Sequence, residues 1–355
     1  MALQELNRAT TTDFTNQVDD FSVDTKTLEK VSEAGDEFYH YFDKATTNYG
    51  YYLTIPEIFS AVNALATWAV GRGWTTEDKK MQAQLEHVSG MGSDHFDKVM
   101  WNHEVIKVVV GDALTEVKKG KTGIIVNMIP IDPDNARIVF GKNGLIKRYD
   151  VWNSNKWVPI KKENMLHSSN KRIGSQVHGQ SQVEPAKFII DARNEALADE
   201  RIIKHRDKAL GIAYYKTSNT GKIARANTQI EKAVHKGEML GLPEDTAKIE
   251  PYPSRSSEDR TAWISYLENF FYQVFGVPRS IATSDGTSEV GGKMGHVIFE
   301  PIYTKEQKDL EGDLFLQHSI KILFNRPPSL GGLVSETEAK NTGQTSIQPN
   351  DVTAN

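Results

Sequence analysis

The stretch SQVEPAKFIIDARNEALADERIIKHRDKAL (residues 181–210) decides how this chain is read. Ser181-Gln182-Val183-Glu184 has the Ser-x-x-Glu spacing of a capping box, and Pro185 follows where a first helical turn tolerates proline. The pattern predicts one long helix over 184–208. Its apolar positions, Ile189, Ile190, Ala196, Leu197 and Ile203, recur about every seven residues. That is a narrow seam, not the broad stripe of a helix buried in its own core. The dense mixture of charges on its other faces reads as solvated or ion-paired. At about 1.5 Å per residue the helix would be roughly 36 Å long.

A small α/β insert follows: a strand over 212–216, a helix over 225–235 and a short strand over 247–250, closed by Pro251-Tyr252-Pro253. Ser256-Ser257-Glu258-Asp259 then caps a second helix. It carries Trp263, Leu267, Phe270, Phe271 and Val274 on one face and stops at Gly276-Val277-Pro278. These five are expected to be mostly buried. Thr283 to Gly292 reads as a mobile loop, with three glycines and four hydroxyl residues. A last helical region over 293–324 is expected to kink at Pro301.

Upstream, Ile55-Pro56-Glu57 opens an amphipathic helix that Gly71-Arg72-Gly73 stops, and 80–102 reads as a weaker helix. The β-branched run 105–110, the Gly111-Asp112 turn and short strands to residue 166 predict a β-rich module, with a hairpin at Asn143-Gly144. The first forty residues are polar. Residues 335–355 lack aromatics and are expected to be disordered. The fold class is α+β.

Composition limits the chemistry. The 355 residues carry 42 basic and 47 acidic side chains, net −5, which excludes a protein that coats nucleic acid by bulk positive charge. Without cysteine there is no disulfide framework, thiolate metal site or thiol nucleophile. No Walker motif occurs, and no apolar run approaches the ~18 residues of a membrane span. No signal-peptide pattern is visible at the start. Gly179-Gln180-Ser181-Gln182-Val183 misses the second glycine of a nucleophile elbow, and Ser181 reads first as a helix cap. His95, His103, His167 and His178 show no metal spacing and read as surface or packed residues. Asp132 and Asp134 flank Pro133 as turn formers, with a metal pair as the alternative.

Five stretches resemble, in order, the portal proteins (head–tail connectors) of tailed phages and related viruses. They are IPEIFSAVNALATWAVGRGW (55–74), VIKVVVGDALTEV (105–117), IPIDPDNARIVFGKNGLIKRYDVW (129–152), ENMLHSSNKRIGSQVHGQSQVEPAKFII (163–190) and LENFFYQVFGVPRSI (267–281). The likeness covers about residues 50–325. The resemblance implies a portal-type fold with a β-rich wing, two stem helices flanking a small α/β clip, and a long kinked tunnel helix. Mapped by order, 1–50 is a polar N-terminal arm and 51–183 the wing. Stem helix one is 184–210, the clip 211–253, and stem helix two 254–278. The tunnel loop is 279–292, and 293–325 is the tunnel helix with wing return and a minimal crown. The tail, 326–355, is disordered. Many portals have a larger crown; the polar sequence after Phe324 departs from them.

The resemblance further implies a homo-oligomeric ring of twelve subunits at one capsid vertex, through which double-stranded DNA passes without sequence preference in packaging and ejection. The implied partners are the terminase large subunit, the major capsid protein and a head–tail adaptor. No catalysis, cofactor or membrane is implied, and the location is the virion, after assembly in the host cytoplasm. Thr283, Ser284, Asp285, Thr287, Ser288, Glu289 and Lys293 would line the channel. Lys222, Arg225, Lys232, Lys236 and Lys248 of the clip would dock an acidic partner, with a plain solvated face as the alternative. Trp263, Leu267, Phe270, Phe271 and Val274 would pack the stem. The mild acidity fits a passage, because a strongly basic bore would hold the duplex by counterion release. The competing readings are a minor capsid or adaptor protein without a channel, and a metal-dependent nuclease built on Asp132 and Asp134.

Overall fold

Arg137 anchors the strand Glu37–Tyr41 of the polar N-terminal region. Its guanidinium lies 4.3 Å from the Tyr39 ring centroid and 4.2 Å from that of Trp157, and it bonds Asp150 through Nε and Nη2. Cation–π stacking and a two-pronged ion pair thus fasten the N-terminal strands to a sheet formed much later in the chain. In the computed structural model the described residues are 30–34, 37–42, 44–207, 212–236, 247–250, 258–282 and 289–327.

In chain order the strands β1 (Lys30–Ala34) and β2 (Glu37–Tyr41) lead to helices α1 (Ala45–Thr54) and α2 (Pro56–Val70). Next come β3 (Trp74–Thr75), α3 (Lys79–Glu86) and α4 (Phe96–Val110). Strands β4 (Asp112–Lys119), β5 (Ile125–Ile131), β6 (Ala136–Gly141), β7 (Ile146–Asn153), β8 (Lys156–Lys161) and β9 (Met165–Ser169) follow. Then come α5 (Val183–Asp207), β10 (Ile212–Tyr215), α6 (Thr220–Lys236), β11 (Ala247–Glu250) and α7 (Glu258–Phe275). The chain closes with α8 (Arg279–Ala282), α9 (Glu289–His318) and β12 (Leu323–Phe324). It divides into two compact units, one of residues 1–184 with 275–355, the other of 185–274.

In the first unit β1-β2-β6-β7-β8 form one antiparallel sheet and β5-β4-β9 a second; β12 pairs with β3. The main core gathers α2, α3, α4, the β4–β5 pair, the end of α9 and β12 around Leu85, Phe96, Met100, Met128, Leu310 and Leu314. A smaller core under the larger sheet holds Leu114, Ile138, Tyr149 and Met165. The expected hairpin is present: Gly141 N donates to Leu145 O at 3.1 Å, and Gly144 turns with φ +70.

Several expectations are corrected. Residues 105–110 are not a strand but the last turns of α4. Val105, Ile106, Val108 and Val109 are buried there, so packing on most sides of one helix overrides their β preference. Gly111, left-handed at φ 105, ends that helix, and the β-rich region starts at Asp112. The weak helix over 80–102 is two helices, α3 and α4. The N-terminal fifty residues are not all an arm, because β1, β2 and the start of α1 lie within them. The last helix begins at Glu289 and ends at His318, passing through Pro301. Beyond it Ser319 turns at φ 58, and Leu323–Phe324 is a strand. The expected disordered tail lies outside the described residues from 328 onward.

The second unit contains the predicted long helix as α5 and the predicted α/β insert as the antiparallel β10–β11 pair with α6. Asn219 caps α6, its Oδ1 accepting from Gly221 N at 3.0 Å and Lys222 N at 3.2 Å. Tyr215 on β10 donates to Asn227 Oδ1 on α6.

Candidate functional site

The aromatic row of α7 is the predicted feature with the clearest outcome. Leu267 and Phe271 are buried, as expected, while Phe270 and Val274 are half-buried and Trp263 is 51% exposed. The buried arc is rotated toward Leu267, Phe271 and Phe275, one step of four apart. Trp263, Tyr266 and Phe270 form a second row on its flank. Trp263 stacks on Tyr266 at 5.6 Å and 25°, and Tyr266 meets Phe270 edge-on at 4.9 Å. Tyr266, 54% exposed, was missed by the sequence reading, although it sits three residues after Trp263 and four before Phe270. On α5 the seam includes Ile190, buried, but Phe188 and Ile202 are half or more exposed. Arg193 of α5 lies 5.9 Å over the Phe271 ring.

Lys222, Arg225, Lys232 and Lys236 fall three, seven and four residues apart on α6, so the helical period places them on one arc. Lys222 and Arg225 are exposed; Lys248 is on β11. Thr283, Ser284, Asp285, Thr287 and Ser288 lie outside the described residues. Glu289 and Lys293 do not belong to a loop: they are in the first turns of α9, and 279–282 is the helical turn α8. A Cβ on Gly295 would sit 2.6 Å from Ser280 Oγ and 3.4 Å from Pro278 Cβ.

A buried polar cluster is the strongest place to look for catalysis. Asp112, 1% exposed, accepts from His167 Nε2 at 3.0 Å through one oxygen. Its other oxygen accepts from His178 Nδ1 at 3.1 Å and Gly179 N at 3.0 Å. Tyr149 OH lies 3.0 Å from His167 Nδ1, and Ser169 Oγ lies 3.2 Å from His167 Nε2. Asp112 and Ser169 therefore share one ring nitrogen. A serine–histidine–aspartate relay needs them on opposite nitrogens, so the arrangement cannot activate Ser169. Burial opposes ionisation of Asp112, yet the hydrogen bonds from His167 and His178 hold its carboxyl well below the usual range. Burial pushes Tyr149 above its ordinary value, so its hydroxyl stays a donor. The cluster's work is structural: it ties 178–179 to the start of β4. Beside it Ser181 Oγ donates to Val109 O at 2.5 Å and accepts from Val183 N at 3.0 Å, the cap role expected of it.

A cleft of about 730 Å³ adjoins the cluster, with Tyr149, His167 and Arg172 on one wall and Lys308, Asp313 and Gln317 on the other. Gln317 closes the strand edge there, its Oε1 accepting from His167 N at 2.8 Å and its Nε2 donating to His167 O at 2.7 Å. The aspartate pair is a turn: Asp132 Oδ1 accepts from Asp134 N at 3.2 Å, and Asp134 Oδ2 accepts from Thr46 N at 2.7 Å. Among the described residues no three histidine or carboxylate side chains converge as metal ligands. No single helix among them is long and apolar enough to cross a membrane.

No protein-family profile matches the sequence, and no curated protein matches it either. Solved structures do. A chain of the virion of a native gene transfer agent particle superposes with a TM-score of 0.65 at 14% identity, over 87% of this chain and 91% of that one. A chain from the neck of the native particle, computed with C12 symmetry, gives 0.64 at 14% identity over 86% and 91%. An HK97-family phage portal protein from Corynebacterium diphtheriae gives 0.50 at 13% identity over 80% and 95%. The mixed helix-and-sheet architecture described above is thus a portal-type fold, the one these gene transfer agent and phage chains share.

Proposed function

We propose that the chain is the repeating subunit of a portal ring, a structural connector of a phage-like particle. The observation that carries this reading is the exposed aromatic row of α7, Trp263 and Tyr266, together with Phe188 and Ile202 on α5. Apolar rows on long helices that one copy leaves uncovered fit a subunit completed by its neighbours. The similar neck chain comes from an assembly computed with C12 symmetry, which favours twelve copies here.

On this reading residues 51–183 with part of 293–325 form the wing, α5 and α7 the stem, and β10, α6 and β11 the clip. Double-stranded DNA passes through the ring during packaging and ejection. The segment 283–288, with Glu289 and Lys293 at the head of α9, borders its path. Asp285 and Glu289 offset Arg279 and Lys293, so the duplex is not held by phosphate neutralisation. The basic arc of Lys222, Arg225, Lys232 and Lys236, with Lys248, docks an acidic surface of the terminase large subunit or of a head–tail adaptor. The subunit is a component of the virion, assembled in the host cytoplasm, and hydrolyses nothing itself.

The test is assembly. The pair Trp263→Ser and Tyr266→Ser should convert rings to small species in light scattering while the single copy keeps its circular-dichroism spectrum. Rings of unchanged size in the double variant would remove the basis of the proposal.

A further inference from the structure

Three charges sit in the core of the first unit. Glu104 and Lys107 lie one turn apart on α4, and Glu306 faces them from α9, with 0%, 2% and 5% exposure. Lys107 Nζ is 2.8 Å from Glu104 Oε2 and donates to Glu306 Oε2 at 2.7 Å. Two carboxylates thus answer one ammonium. Glu306 has the directed hydrogen bond, whereas Glu104 receives a well-directed one at neither oxygen. If all three were charged, the core would hold one uncompensated negative charge, and Glu104 is where it would reside.

We infer that Glu104 is a proton-operated latch on the contact between α4 and α9. Protonated, it leaves a neutral Lys107–Glu306 pair that fastens the two helices. Ionised, it adds a buried charge without a partner of its own and loosens them.

The surroundings agree. Burial pushes the Glu104 carboxyl up to about 7; Lys107 opposes the rise and Glu306 adds to it. Burial also raises Glu306, but Lys107, with Lys305 and Lys171 nearby, holds it below the usual carboxylate range. Lys107 stays charged, because the two carboxylates outweigh its burial. Burial keeps His103, beside Lys107, neutral by lowering it to about 3. Asp313 of α9 is pushed up by burial, with Lys107 and His167 of β9 pulling it down. Asp112 of β4 is engaged with its two histidines.

A carboxyl raised on folding contributes stability that is present below the ordinary value of 4.5 and is lost as pH rises through about 7. The latch is therefore closed at pH 6 and open at pH 8. It acts on the helix that follows 283–288 and that carries Gln317, the cap on β9, in its last turn. The inference stands whether or not the chain forms a ring.

Amide hydrogen exchange of the full chain tests it, read in peptides covering α4 and α9 and corrected for intrinsic exchange. Protection in the native chain should fall by about tenfold or more between pH 6 and pH 8, since the ratio of protonated to ionised Glu104 drops tenfold with each step of one in pH. Glu104→Gln should keep the pH 6 protection at both values. An equal loss in E104Q, or no loss in the native chain, would overturn the latch. Infrared spectroscopy of the native chain with carbon-13 glutamate carboxyls does not depend on the variant folding. A protonated glutamate band at pH 6 that disappears by pH 8 supports the latch, and its absence at pH 6 refutes it.

Discussion

Asp112→Ala should be among the most damaging substitutions in the first unit. Asp112 directly follows the left-handed Gly111 and receives three donors, from His167, His178 and Gly179 N. Removing the carboxylate leaves all three without their acceptor. Each buried donor left unmade costs ~1–3 kcal/mol. His178 is only half-buried and can turn to water, so the sum is smaller than three full penalties, about 3–5 kcal/mol. Asp112→Asn keeps the shape, but its amide NH2 meets an N–H on one side, so about 2–4 kcal/mol is expected. These are large fractions of the ~5–15 kcal/mol by which domains are stable. Because the hydrogen bonds depress the Asp112 carboxyl on folding, its contribution is fully present above the ordinary value of 3.8 and lost as pH falls through the lower folded value. Urea unfolding followed by tryptophan fluorescence at pH 7 measures the effect. Variants within about 1 kcal/mol of the native chain would refute the view that this cluster holds 178–179 on the start of β4.

Other substitutions test separate parts of the account. Gln317→Leu leaves His167 N and O without partners at the edge of β9 and should cost about 2–3 kcal/mol in the same unfolding assay; Gln317→Glu, which can replace only the acceptor, should fall between. Phe271→Ala, at a fully buried site, should lower stability by ~3–5 kcal/mol, while Trp263→Ala should cost far less in a single copy, as melting curves of the two would show. Converting Asp285 and Glu289 to lysine should strengthen DNA binding, steepen its salt dependence and slow packaging; unchanged affinity and rate would place these residues away from the duplex.

Much of the second unit was legible in the sequence because its signals are local. The cap at Ser181, just before that unit, and the seven-residue seam of α5 belong to single elements. What failed depended on partners distant in the chain. Val105-Ile106-Lys107-Val108-Val109-Val110 is β-branched and reads as a strand, yet α2, β4 and β5 enclose it as a helix. The clue was Lys107 in an apolar run, three residues after Glu104 and so one helical turn from it; its other acidic partner, Glu306, 199 residues away, cannot be found by periodicity. Asp112 was read as turn chemistry, because the histidines that make it a hub lie 55 and 66 residues further on. On α7 the helix was right, but the row of five aromatic and aliphatic residues was assigned to one buried face. Its spacing is shared by two adjacent arcs, and only packing decides which arc is covered.

The central claim is that this chain closes into a ring with an open axis. Electron microscopy of the purified full-length protein, with the native mass of the same sample, tests it most directly. The account predicts closed rings, twelve-fold in the mass, with a central hole wide enough for a duplex. Monomers at all concentrations, open filaments, or rings with a sealed centre would contradict it.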